Sequence, residues 1–93
     1  MLDKIKQLME MKKQADQIKK ELEKIEVEVN EVKGIKIIVT AAQNFRFIEI
    51  DPMFLKEANK ENLESDLLKS LNLAIQKSQT VAAQKMASVM PGL

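Results

Sequence analysis

The chain has 93 residues, of which 45% are hydrophobic but only 3% aromatic, and its 15 basic and 14 acidic side chains give a net charge of +1. A chain of this length forms one domain, here residues 1–93, with a modest core of aliphatic side chains. It contains no cysteine and no histidine, which excludes disulfides, thiolate chemistry and the commonest zinc ligand and general base. We therefore predict no catalytic residue, no metal site, no cofactor and no small-molecule substrate.

The charges are distributed unevenly along the chain. Residues 1–20 carry a net charge of +3, residues 21–66 carry −5, and residues 67–93 carry +3 without any acidic side chain. Charged residues interrupt every apolar run, which is not the pattern of a signal peptide or of a membrane span. We expect a cytoplasmic protein that makes no contact with membranes and has basic ends and an acidic middle.

The first predicted element is a long helix. From Leu8 to Ile25 the apolar residues recur at alternating steps of three and four, which is the heptad pattern of an amphipathic helix. We predict one helix over residues 3–25, roughly 35 Å long at ~1.5 Å per residue, so part of it should project from the domain. Its apolar seam either packs on a second helix of the same chain or forms a coiled coil with another chain.

Three strands joined by two short turns are predicted next. Residues Glu26–Asn30 alternate between polar and apolar, Ile35–Ala42 is rich in β-branched residues, and Phe45–Ile50 is a third strand-like run. Lys33-Gly34 and Gln43-Asn44 supply the turns, the second because Asn tolerates the left-handed backbone conformation. The pattern predicts a three-stranded antiparallel meander.

The third strand carries large apolar side chains on both of its faces. Strict alternation places its side chains on opposite faces of the sheet, with Arg46, Ile48 and Ile50 on one and Phe45, Phe47 and Glu49 on the other. A single layer of helices covers only one face of a sheet, so the other face or the sheet edge would meet a second subunit. We predict a homodimer whose interface contains Phe45, Phe47, Ile48 and Ile50.

The last predicted element is a second long helix. Asp51-Pro52 ends the third strand and begins a short helical turn near Met53. Asn59 is a favourable N-cap, and Lys60–Val89 shows helical periodicity until Pro91-Gly92 stops it. The predicted fold class is α+β, with a long N-terminal helix, a three-stranded antiparallel meander and a long C-terminal helix.

If the two helices pack antiparallel, the basic segments at the two ends of the chain form one basic tip. Lys6, Lys13 and Lys20 are seven residues apart and lie opposite the heptad seam. They are either a solvated helix face or a set of phosphate contacts, and a polyanion such as duplex DNA is the partner that a basic tip would bind. The candidate DNA-binding residues are Lys6, Lys12, Lys13, Lys20, Lys69 and Lys77.

Two motifs carry a resemblance to a known family. Ile48-Glu49-Ile50-Asp51-Pro52 is similar to the V-x-I-D-P signature that closes the third strand in the YbaB/EbfC family, and Lys85–Gly92 resembles the second signature of that family. The resemblance extends over essentially the whole chain. It implies a tweezer-like homodimer that binds DNA with little sequence preference as a bacterial nucleoid-associated protein, with roles in gene expression or DNA repair.

A helical adaptor that binds other proteins without touching DNA is the alternative. It is favoured by the long helices, the near-neutral total charge and the presence of a single arginine, Arg46. Lysine attracts phosphate but reads bases poorly, and the few aromatic residues offer no stacking platform for single strands. If the chain binds DNA, the backbone of a duplex is therefore the expected target.

Overall fold

The structure is a computed structural model that describes residues 2–89. Two short 3₁₀ turns, Pro52–Leu55 and Glu57–Asn59, connect the sheet to the last helix. The long elements confirm the predicted order and the α+β class, whereas the predicted helix stop at Pro91-Gly92 lies outside the described residues. In chain order these elements are α1 (Leu2–Lys24), β1 (Glu26–Val29), β2 (Ile35–Thr40), β3 (Phe45–Ile50) and α2 (Lys60–Val89).

The strands form an antiparallel sheet in the order β1-β2-β3, joined by two turns that each contain one residue with positive φ. Gly34 takes this conformation in the first turn, as the prediction of a Lys33-Gly34 turn requires. In the second turn Gln43 takes it, so the expectation for Asn44 is wrong. β2 also ends at Thr40 rather than Ala42, because Thr40 closes the turn through backbone hydrogen bonds with both Gln43 and Asn44.

β3 contains a bulge that the sequence pattern does not reveal. Ile38 pairs with Phe47, but the next residue of β2, Val39, pairs with Phe45, so Arg46 is the extra residue. Cross-strand partners share a face of the sheet. Phe45 therefore lies on the face of Val39 and not on that of Phe47, and the predicted assignment of Phe45 is wrong.

The core lies between one face of the sheet and α2. Ile37 of β2 and Ala74 of α2 are completely buried. Ser70, Ala74 and Ser78 are small and four residues apart, so they form a buried stripe along which α2 can approach the sheet closely. The Ser78 hydroxyl donates to the carbonyl of Thr40 at 2.7 Å, which ties α2 to β2. The other buried members of this core are Val29, Ile35, Val39 and Phe54.

The connection between β3 and α2 follows the predicted turn but not the predicted cap. Asp51 accepts a hydrogen bond from the Met53 N–H at 2.9 Å and so caps the first 3₁₀ turn. Asn59 was expected to cap α2, but its side-chain amide donates to the Met53 carbonyl at 2.7 Å instead. The N-cap expectation is wrong because Asn59 is itself the last residue of the second 3₁₀ turn.

α1 projects from the rest of the molecule as predicted. The described chain measures 66 × 21 × 18 Å with a radius of gyration of 18.4 Å, whereas a compact domain of this length has ~12 Å. Residues 2–20 of α1, which we call the arm, are all exposed except for Ile18. The heptad seam meets α2 from Met11 onward, where Met11, Ala15 and Ile18 line a groove with Met86, whereas Leu8 remains 66% exposed.

Candidate nucleic-acid interface

Four of the six lysines predicted to bind DNA lie on the arm. Lys6, Lys13 and Lys20 are exposed and share the face of α1 that is opposite the seam. Each seven-residue step advances ~10.5 Å along a helix, so the three lysines form a row ~21 Å long. Lys12 is exposed beside this row, roughly a quarter turn around the helix from Lys13. The arm therefore presents a linear basic surface to solvent.

The lysines of the arm form no ion pair within the described residues, whereas many cations around the sheet do. An ammonium group that is not already paired with a carboxylate is available to a phosphate without first breaking a contact. The arm therefore holds six of the ten lysines that form no ion pair in the described structure. The paired cations of the remaining structure are Lys36 with Glu28 (2.9 Å), Arg46 with Glu23 (3.1 Å), Lys85 with Glu21 (3.6 Å), Lys60 with Glu64 (3.9 Å), and Lys77 with Glu31.

The sheet face turned away from α2 is acidic. Lys36 lies there between Glu28 of β1 and Glu49 of β3. Its hydrogen bond with Glu28, together with the charge of that carboxylate, raises the pKa of Lys36 above its ordinary value. Two carboxylates surround one ammonium group, so this face carries net negative charge and disfavours contact with a polyanion.

The structure does not bring Lys69 and Lys77 to the arm. Lys77 lies in a groove beside Val27 of β1 and pairs with Glu31, and Lys69 lies a further ~12 Å along α2. The helices are antiparallel as expected, since Lys85 meets Glu21 beyond the sheet. The expectation that both basic segments form one tip is nevertheless wrong, because α2 crosses the sheet before it reaches α1.

The four residues predicted for the dimer interface lie along one edge of the sheet. In β3 the side chains of Phe45, Phe47 and Ile48 are 48%, 45% and 49% exposed, and Ile50 is half-buried. Within residues 2–89, β3 pairs only with β2, so its other side presents backbone donors and acceptors that the described sheet leaves unpaired. An edge strand with exposed apolar side chains is a typical surface for pairing with another strand.

Sequence reasoning missed one contact that ties the arm to the sheet. Glu23, in the last turn of α1, accepts hydrogen bonds from the side chain of Asn44 and, at 3.1 Å, from the Arg46 guanidinium. Its partners are 21 and 23 residues away in the chain, so no local pattern points to them. An acidic residue close to the end of a largely basic helix is the only signal that the sequence offers.

Comparison with known proteins matches the whole chain to one family. The model of a family described as the YbaB/EbfC DNA-binding family covers residues 1–93. This match confirms the resemblance indicated by the two motifs at residues 48–52 and 85–92. Across residues 2–89, no helix has both the length and the apolar composition required to cross a membrane.

Proposed function

The chain belongs to the YbaB/EbfC DNA-binding family, and on that premise we propose that it holds duplex DNA with the arm, mainly through backbone phosphates. Members of this family are nucleoid-associated DNA-binding proteins, and the family is not one of enzymes. The observation that carries the proposal is the row of exposed lysines on the arm that form no ion pair among the described residues.

The spacing of these lysines suits a backbone rather than a particular sequence. Duplex DNA carries one negative charge per ~1.7 Å of helix axis, so several phosphates lie within every ~10.5 Å step between Lys6, Lys13 and Lys20. Each ammonium group can then find a phosphate without a fixed register. Phosphate contacts position a protein without reading bases, and the proposal therefore includes little sequence preference.

We further infer that the chain works as a homodimer joined through β3. Pairing of two β3 edges would cover Phe45, Phe47, Ile48 and Ile50 and would supply the missing backbone partners. Each protomer would contribute one arm, so the dimer would grip DNA at two places. Bound at the nucleoid in the cytoplasm, such a clamp would alter the access of other proteins to DNA, which is the route to effects on gene expression or repair.

The experiment that tests the proposal is a titration of duplex DNA at two salt concentrations, with two unrelated sequences. Wild-type protein should bind both similarly, and its affinity should fall steeply with salt. Changing Lys6, Lys13 and Lys20 together to Gln should weaken binding on the order of tenfold or more and lower the log–log salt slope by about 0.9 for each lost phosphate contact.

The matched control changes Lys33, Lys56 and Lys60 together to Gln. This variant loses the same three positive charges, but from exposed positions outside the arm. It should bind almost as well as wild type, because the proposal assigns the phosphate contacts to the arm. Equal losses in the two variants would show that only total charge matters, and an absence of binding at low salt would favour the protein-binding adaptor.

A further inference from the structure

α1, which carries the arm, joins the sheet through a very short connection, and the carboxylate of Glu23 contacts the sheet beside it. Only Ile25 separates α1 from β1, and its carbonyl accepts a hydrogen bond from the Ala41 N–H at 2.9 Å. Two residues earlier, the half-buried Glu23 contacts Asn44, in the turn before β3, and Arg46 of β3. Glu23 thus links the base of α1 to the β2–β3 hairpin from the side.

Because α1 is long, a small change of angle at this place moves the tip of the arm a long way. Lys6 is 17 residues from Glu23, or ~25 Å along the helix at ~1.5 Å per residue. A tilt of roughly 10° at Glu23 would therefore displace the Lys6 backbone by ~4 Å. A charge-assisted hydrogen bond to phosphate holds its two atoms within ~2.9 Å. A small change at the base thus displaces the lysines near the tip by more than the length of such a contact.

We propose that Glu23 is a positioning residue for DNA binding, which fixes the angle of the arm through Asn44 and Arg46 without touching DNA. The proposal rests on the arm being the DNA-binding element. It also predicts a change in affinity opposite in sign to the change that electrostatics alone predicts. Removing a carboxylate from a DNA-binding helix should strengthen the attraction to phosphate, whereas loss of a positioning contact should weaken binding despite the more favourable charge.

The test compares Glu23→Ala with Asp16→Ala. Asp16 is seven residues earlier on the same face of α1, is exposed, and forms no ion pair in the described structure. Both variants remove one carboxylate, so any difference between them reports the contacts of Glu23. We expect Asp16→Ala to bind DNA as tightly as wild type or more tightly, and Glu23→Ala to bind roughly three- to tenfold more weakly.

Two further variants separate positioning from charge and from general destabilisation. Asn44→Ala removes a neutral partner of Glu23 and should also weaken DNA binding with no change in net charge. Glu23→Gln keeps a side-chain oxygen that accepts hydrogen bonds, so it should recover part of the lost affinity. Circular dichroism of each variant, which reports the helix content, confirms that the fold is retained during the comparison.

The arm angle can be measured directly, because the chain has no cysteine of its own. Spin labels at Gln7→Cys on the arm and Asn72→Cys on α2, in chains diluted with unlabelled protein, give the distance distribution within one protomer. This distribution should be narrow in the wild-type background and broader or displaced with Glu23→Ala. Asp16→Ala should leave it unchanged.

The outcomes are separable. Weaker binding together with a broadened distribution supports the positioning role. Binding by Glu23→Ala that equals or exceeds that of Asp16→Ala overturns it, as does weaker binding with an unchanged distribution. If wild-type protein does not bind DNA at all, the proposed function fails, while the distance distributions still decide whether Glu23 fixes the arm.

Discussion

Replacing Gly34 with Ala should destabilise the protein more than any ordinary substitution in a surface turn. Gly34 has a φ of +88°. A residue with a Cβ atom in this left-handed region loses about 1–2 kcal/mol of conformational free energy. The new Cβ would also lie 2.8 Å from Phe54 Cε2 and 3.1 Å from Met53 Cε. Met53 is exposed and flexible, but Phe54 is buried in the core and has little room to move.

The two effects together give the expected magnitude. Overpacking against a core side chain costs about 1–3 kcal/mol, so Gly34→Ala should lose about 2–5 kcal/mol of unfolding free energy when the strain is included. For a domain of this length that corresponds to a fall in Tm of roughly 10–30 °C. Urea denaturation followed by circular dichroism measures the loss, at one fixed protein concentration because dimerisation would add to apparent stability.

A second mutant, Phe54→Leu, separates the steric clash with Phe54 from the backbone strain at Gly34. Phe54→Leu removes the ring atom that the new Cβ would meet, so Gly34→Ala should cost only about 1–2 kcal/mol in that background. The reasoning is refuted if Gly34→Ala costs less than about 0.5 kcal/mol in the wild-type background, the ordinary range of surface substitutions. An identical cost in both backgrounds would remove Phe54 from the explanation.

Two further predictions concern the β3 edge and the turn that follows it. Phe47→Asp should convert a dimer into a folded monomer, because it places an unpaired charge in the proposed interface, and light scattering coupled to size exclusion gives the mass. Leu55→Asp is its control, since Leu55 is 82% exposed and lies outside β3 in the first 3₁₀ turn. A dimeric mass for Phe47→Asp would contradict the assigned interface. Asp51→Ala removes the acceptor of the Met53 N–H and should cost about 1 kcal/mol in urea denaturation, whereas Asp51→Asn, which keeps an acceptor, should cost clearly less.

The sequence predicts the fold well where a single periodicity decides the structure. The heptad spacing from Leu8 to Ile25 places α1 within one residue of its observed ends, and Asp51-Pro52 ends β3 where the structure ends it. Both signals are local, because they depend on side chains one or two turns apart or on the restricted backbone of proline. Local signals of this kind do not require knowledge of the tertiary structure.

The errors occur where particular hydrogen bonds or strand pairing, rather than periodicity, decide the outcome. Thr40 ends β2 through hydrogen bonds within its own turn, and the bulge at Arg46 depends on how β3 pairs with β2. For the candidate site, the sequence identifies the lysine row of the arm, which periodicity alone defines. It does not reveal that Lys77 lies beside the sheet with Glu31, a residue 46 positions away, nor that Glu23 meets the β2–β3 hairpin.

The two edge strands of the sheet, β1 and β3, differ in length and charge, and this difference limits how many copies of the chain can join into one sheet. β3 has six residues, four of them apolar, whereas β1 has only four residues, of which Glu26 and Glu28 are acidic. Open-ended growth of a sheet into a fibril requires a receptive strand at both edges. A chain that pairs through β3 would leave only the short acidic β1 strands at the outer edges, so its sheet would stop growing at the dimer.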